Sequence, residues 1–86
     1  MTLRFTLNYR AEYGQVLVVC GSAPELGSWE VSRAPAMTVV AGDDHWQLVL
    51  ELPDEARPAP LAYKYALRDE RTGAVTWEWG PNRILT

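Results

Sequence analysis

The stretch Leu61-Ala62-Tyr63-Lys64-Tyr65-Ala66-Leu67-Arg68 alternates without a break. Leu61, Tyr63, Tyr65 and Leu67 fall on one side, and Ala62, Lys64, Ala66 and Arg68 on the other, which is the period of a half-buried β-strand. Asp69 to Gly73 then reads as a turn, and Ala74 to Trp79 as a second strand stopped by Gly80-Pro81. In a regular strand Trp77 and Trp79 share a face. Asn82 and Arg83 follow, setting an amide and a guanidinium beside the indoles. Two readings fit. Either both tryptophans are core and Pro-Asn merely turns the chain, or they form an aromatic shelf edged with hydrogen-bonding groups. Such a shelf suits a ligand that combines apolar patches with many hydroxyls, as a sugar does.

Upstream, Thr2 to Arg10 alternates in the same way, with Leu3, Phe5, Leu7 and Tyr9 against Arg4, Thr6, Asn8 and Arg10. Gln15 to Cys20 is apolar on both faces, which predicts a strand central in its sheet. The closeness of these two segments predicts a hairpin across the Ala11–Gly14 turn. Gly21 to Pro24 breaks the second strand, and Glu25 to Trp29 reads as a structured loop with a short helical turn after Pro24. Ala36 to Val40 is a short strand, Ala41 to Asp44 a turn, and His45 to Leu52 alternates with Trp46, Leu48, Leu50 and Leu52 on one face. The three prolines and three charges between Pro53 and Pro60 make a surface loop. No segment keeps helical periodicity over two turns. Short strands with regular turn signals imply an all-β fold, an antiparallel sandwich of about six or seven strands in one domain, residues 1–86.

Composition narrows the function. The net charge is −3 with no basic run, which argues against nucleic acid and an anionic membrane surface. Four Trp and four Tyr stand against one Phe; residues with a polar handle suit half-wet surfaces better than a sealed core. Cys20 is the only cysteine, so there is no intrachain disulfide, and within its apolar run it reads as a small buried side chain. Arg4, Asn8 and Arg10 interrupt any signal-peptide pattern, the longest apolar run, Val16 to Cys20, is far too short to cross a bilayer, and the expected location is the cytoplasm. One His and one Cys cannot build a metal site. His45 has no Ser or Cys motif near it. Asp43-Asp44, Asp54-Glu55 and Glu78 do not read as a paired acid and base, and no Gly-rich phosphate loop occurs. The expectation is a binding surface, without catalytic residues, metal or cofactor.

Tyr13-Gly14-Gln15, Val19-Cys20-Gly21-Ser22 and Pro24-Glu25-Leu26-Gly27-Ser28-Trp29-Glu30, followed in order by Trp46, Leu52-Pro53, Tyr63-Lys64-Tyr65, Trp77-Glu78 and Pro81-Asn82-Arg83, resemble the starch-binding domain, carbohydrate-binding module family 20. The likeness runs along about the whole chain, and its first half looks especially like modules preceding intracellular 4-α-glucanotransferases. The resemblance implies an immunoglobulin-like antiparallel β-sandwich that binds α-1,4-glucans or cyclodextrin without catalysis. It implies a first site of Trp29, Trp77, Lys64 and Asn82, and a second of Tyr13 and Trp46. The second lacks the family's further loop tyrosine, since Thr38 to Asp44 holds no aromatic, and Trp46 shares its face with Leu48 and Leu50, so a core role rivals it. Trp79 departs from the family pattern and either extends the shelf or caps the sandwich edge. Arg83 is expected to pair with a carboxylate such as Glu78, and Tyr63 and Tyr65 to be core. The resemblance also implies a last strand beyond Asn82-Arg83; without it an edge stays open, which predicts a strand-mediated dimer. The rival expectation is a sandwich that has lost glucan binding and packs on a neighbouring domain.

Overall fold

The computed structural model describes residues 2–40, 44–52 and 61–85; the loop expected at 53–60 and most of the turn at 41–44 lie outside the described residues. Among the described residues seven strands follow one another: β1 (Thr2–Asn8), β2 (Gln15–Gly21), β3 (Thr38–Val39), β4 (His45–Glu51), β5 (Leu61–Asp69), β6 (Val75–Trp77) and β7 (Arg83–Leu85). Two short 3-10 segments, Pro24–Trp29 and Val31–Arg33, lie between β2 and β3. One sheet has the order β1-β4-β3. The other has β2-β5-β6, with β7 also on β5, and all pairings are antiparallel.

The expected β1–β2 hairpin does not form. β1 pairs with β4 and β2 with β5, so these neighbours in sequence sit in opposite sheets. Patterning explains the choice. β1 and β4 are each apolar on one face, and their register matches Leu3 with Leu50, Phe5 with Leu48 and Leu7 with Trp46. Thr2 opposite Glu51 and Asn8 opposite His45 fall on the outer face, where both pairs hydrogen-bond through their side chains. A hairpin with β2, apolar on both faces, would have set the polar row of β1 beside an apolar row that needs cover.

β2 is also not central. β5 holds the centre, and β2 lies at its side. Both faces of β2 are nevertheless buried. Leu17 and Val19 face the inner core with Leu3, Phe5, Trp46, Leu61 and Tyr65. Val18 and Cys20 face outward, where Ala34 and Val31 of the 3-10 region and Ala66 of β5 cover them. The outer edge of β2 is partly paired by the next segment: the Val19 amide donates to the Pro35 carbonyl at 3.1 Å, and the Met37 amide to the Leu17 carbonyl at 2.8 Å. The strand expected at 36–40 is therefore divided. Ala36 bridges β2, while Thr38 and Val39 pair with β4. The chain changes sheets at Met37, whose side chain is buried.

Tyr63 and Tyr65 pack in or against the core as expected, the first edge-on to Phe5 with ring centroids 5.1 Å apart. Burying large apolar side chains such as these contributes about 1.5–3 kcal/mol each.

Cys20 has no solvent exposure, and burial raises its thiol pKa. Its alkylation by iodoacetamide should therefore be at least about a thousandfold slower in the native protein than in urea, as for a group reached only through unfolding; a native rate within tenfold of the unfolded one would show that the 3-10 region does not cover β2.

Candidate functional site

Antiparallel pairing decides which side chains meet on the outer face of the second sheet. Ala66 is paired with Trp77, so both point outward, and Lys64 points the same way two residues earlier. Ala66 is buried and small. The 3-10 segment Pro24–Trp29 crosses near this face and brings in Trp29. The Trp29 and Trp77 ring centroids lie 6.5 Å apart with their planes inclined by 49°. Both rings keep open surface, at 36% and 40% exposure. The two tryptophans, far apart in sequence, thus form one bent aromatic shelf.

The segment that carries Trp29 is locally strained. Pro24 opens it and Leu26, fully buried, anchors it to the core. The Ala23 carbonyl accepts from the amides of Leu26 and Ser28, at 2.9 and 3.1 Å. Gly27, Ser28 and Trp29 then take φ of +84°, +49° and +68°. Glycine adopts this region freely, whereas serine and tryptophan do so at a cost of about 1–2 kcal/mol each. Gly27 is required twice over, since a Cβ there would stand 2.9 Å from the Ala34 nitrogen.

Trp77 is fixed differently. The strand expected to run to Trp79 stops at Trp77. The Glu78 amide still donates to the Tyr65 carbonyl at 3.0 Å. The Glu78 carbonyl, however, turns away to accept from Lys64 Nζ at 3.3 Å, and the Tyr65 amide is satisfied by Glu78 Oε1 at 3.2 Å. A side-chain carboxylate thus stands in for the missing ladder carbonyl. Arg83 Nε donates to both carboxylate oxygens at 3.0 Å, and its guanidinium lies 5.1 Å from the Tyr65 ring centroid. This pairing is the one expected from the sequence, and the hydrogen bond to Glu78 raises the Arg83 pKa above its ordinary value.

Lys64 also donates to the Gly80 carbonyl. Two of its three donors are therefore spent on the 78–80 bend, leaving one for a ligand. Lys64 is half-buried, less open than its place on a polar face suggested. Asn82 is exposed between the bend and β7, and no hydrogen bond among the described residues engages its amide. Trp79 does not share a strand face with Trp77; it sits in the bend at 98% exposure and caps nothing.

The residues of the expected second site differ sharply in exposure. Tyr13 is 90% exposed at the turn before β2. Trp46 is at 6% and belongs to the inner core, with its Nε1 donating to the Tyr9 carbonyl at 2.9 Å. The structure thus takes the core alternative for Trp46, because its partner across the register, Leu7, faces inward. Tyr13 and Trp46 nevertheless line one surface depression, together with Tyr9 and Val39. Tyr9, counted with the inward row of β1, lies past the end of that strand and is exposed. The Arg10-Ala11 break was the signal that alternation need not extend to it.

The family of starch-binding domains matches residues 1–86. The chain belongs to that family, carbohydrate-binding module family 20. The starch-binding domain here is 36% identical to Glucoamylase-1 of Arthroderma benhamiae over 98% of its own length and 13% of that protein's. It is 31% identical to the cyclomaltodextrin glucanotransferase of Paenibacillus macerans over 100% of its length and 12% of that protein's. Its fold matches the family 20 module of a maltotetraose-forming amylase from Pseudomonas saccharophila with a TM-score of 0.81 at 23% identity, covering 99% of this chain and 88% of the other. The domain spans less than a fifth of the length of the curated relatives it matches. It is an antiparallel β-sandwich and a non-catalytic starch-binding module.

Gly27→Ala should lower stability by about 2 kcal/mol or more, since it adds left-handed strain and a backbone clash. In a domain of this size that is a fall of roughly 10 °C in melting temperature by calorimetry. An unchanged Tm would show that the loop carrying Trp29 relaxes without resistance.

Proposed function

We propose that the domain holds an α-1,4-glucan across Trp29 and Trp77, with Lys64 and Asn82 hydrogen-bonding to sugar hydroxyls. The observation that carries this is the 49° inclination of two half-open indoles 6.5 Å apart. The faces of a glucose ring carry C–H groups that pack on indole. Successive rings of an amylose chain are tilted, so two inclined platforms fit neighbouring rings where a flat shelf would fit one. Each stacked ring contributes about 0.5–1.5 kcal/mol beyond area burial. Binding on so open a surface should fall in the range of about micromolar to millimolar. It should change little with salt, because the ligand is neutral.

In this reading the domain tethers a linked enzyme to starch, glycogen or maltodextrin, and many weak sites along a polymer raise its retention. A 4-α-glucanotransferase as the linked enzyme is supported by the resemblance of the Val19–Ser22 and Leu26–Trp29 segments. A cytoplasmic setting is in keeping with Cys20, buried and free. Tyr13, with Tyr9 near it, is the proposed contact for a second glucan segment, and Trp46 only supports it from below. The strand expected to be missing after Asn82 is present as β7, paired with β5, so the edge that supports association of two copies is instead the outer edge of β1, which pairs with β4 alone among the described strands. Light scattering at micromolar concentration checks this: a dimer is expected, and a monomer would remove the proposal.

Calorimetric titration with β-cyclodextrin or maltoheptaose tests the binding site. Trp29→Ala and Trp77→Ala should each weaken binding at least about tenfold, while the wild-type affinity should hold from low to physiological salt. Equal binding by all three proteins would sink the site. Failure of the wild type to bind would favour the second reading, a sandwich that packs on a neighbouring domain.

A further inference from the structure

Among the described residues, Trp79 is the one indole left almost wholly exposed. At 98% exposure it gains no stability from packing, although tryptophan is on average among the well-buried residue types. Its backbone, by contrast, is held from both sides. Lys64 Nζ donates to the carbonyl of Glu78 before Trp79 and to that of Gly80 after it. Gly80 takes a φ of +101°, with open space where a Cβ would be. The Glu78 carboxylate is fixed to the Tyr65 amide and to Arg83. The main chain around Trp79 is therefore clamped while its side chain is left standing in water.

The clamp also places the Trp79 main chain. Trp79 follows Trp77 by two residues, a span of at most about 7 Å along the chain. Because β6 has already ended, Trp79 is not stacked on the outer face with Trp77; no ring contact joins them among the described residues. Its main chain thus lies beside that of Trp77, while its indole stands apart from the Trp29–Trp77 ring pair. We propose that Trp79 forms an additional stacking subsite that extends the Trp29–Trp77 shelf and selects for longer linear α-glucans. This rests on the reading that Trp29 and Trp77 hold the glucan.

The selectivity follows from reach. A short oligosaccharide is filled by the central pair and ends before Trp79. A longer chain continues past Trp77 and lays one more ring on the third indole. The clamped backbone means that the loop is ordered before the ligand arrives, so little of the stacking energy is lost to ordering it.

The test is a titration of wild type, Trp79→Ala, Trp79→Tyr and Trp77→Ala with maltotriose and with maltoheptaose, followed by NMR. Trp79→Ala should lose about five- to tenfold in affinity for maltoheptaose and stay within about twofold of wild type for maltotriose. Trp79→Tyr should restore most of the difference, and Trp77→Ala should weaken both ligands. In the wild type the Trp79 indole N–H signal should shift with maltoheptaose and not with maltotriose. An unchanged maltoheptaose affinity in Trp79→Ala, or an equal loss for both ligands, would overturn the subsite while leaving the central shelf standing. Wild-type protein that binds neither sugar would overturn the shelf and the subsite together. Since the Trp79 side chain packs on nothing, its replacement should leave the melting temperature unchanged, which separates a loss of contact from a loss of fold.

Discussion

A backbone amide in the interior of a sheet must find an acceptor, and the amide of Tyr65 finds the carboxylate of Glu78. That substitution lets the edge beside β5 be served by two short strands with a bend between them. β6 covers Ala66 to Arg68, β7 covers Leu61 to Tyr63, and Glu78 fills the gap at Tyr65. Had the ladder run on through backbone carbonyls alone, Trp79 would lie in a strand and the Lys64 ammonium would have no carbonyls to gather. The Glu78 carboxylate is partly shielded and is shared between an amide and a guanidinium. Charge-assisted bonds of this kind are stronger than neutral ones. One side chain therefore ends a strand, orients a bend and starts the next strand.

The other half of the shelf is held by opposing forces. Two consecutive left-handed residues that are not glycine, Ser28 and Trp29, raise the energy of the segment. The burial of Leu26, its contact with the backbone side of Gly21, and the two bonds to the Ala23 carbonyl hold it there. The indole that this segment carries keeps 36% of its surface exposed. Strain offset elsewhere in the fold keeps it half open and inclined. A surface site of modest affinity benefits from such rigidity, because side-chain ordering would otherwise consume much of the few kilocalories that stacking supplies.

The fate of Trp46 shows why aromatic residues in strands are ambiguous. Trp46, Trp77 and Trp79 all occupy alternating or near-alternating segments, and period alone assigns each to one of two faces. Trp46 faces the inner core because it is matched with Leu7. Trp77 faces outward because it is matched with Ala66, whose small side chain leaves room above it. Trp79 faces neither, since the strand has ended. The polar handle of each follows suit: the buried indole donates to the Tyr9 carbonyl, and the open ones keep theirs for solvent or ligand.

The sequence by itself determined the longer strand segments, most of the turn positions, the two alternating rows of β5, the family to which the domain belongs, and the pairing of Arg83 with Glu78. The segments and the pairing follow from period, turn chemistry and short spacings, which are local properties of the chain, and the family from the resemblance carried by an ordered set of motifs. It did not determine that β1 and β2 part into different sheets, that the segment at 36–39 divides between them, or that the Trp29 loop turns left-handed three times. Those outcomes depend on which faces need cover, and that is settled only when both sheets are present at once. The angle between Trp29 and Trp77 is of the same kind: two residues 48 positions apart acquire a mutual geometry from the elements that carry them. No pattern along the chain encodes it.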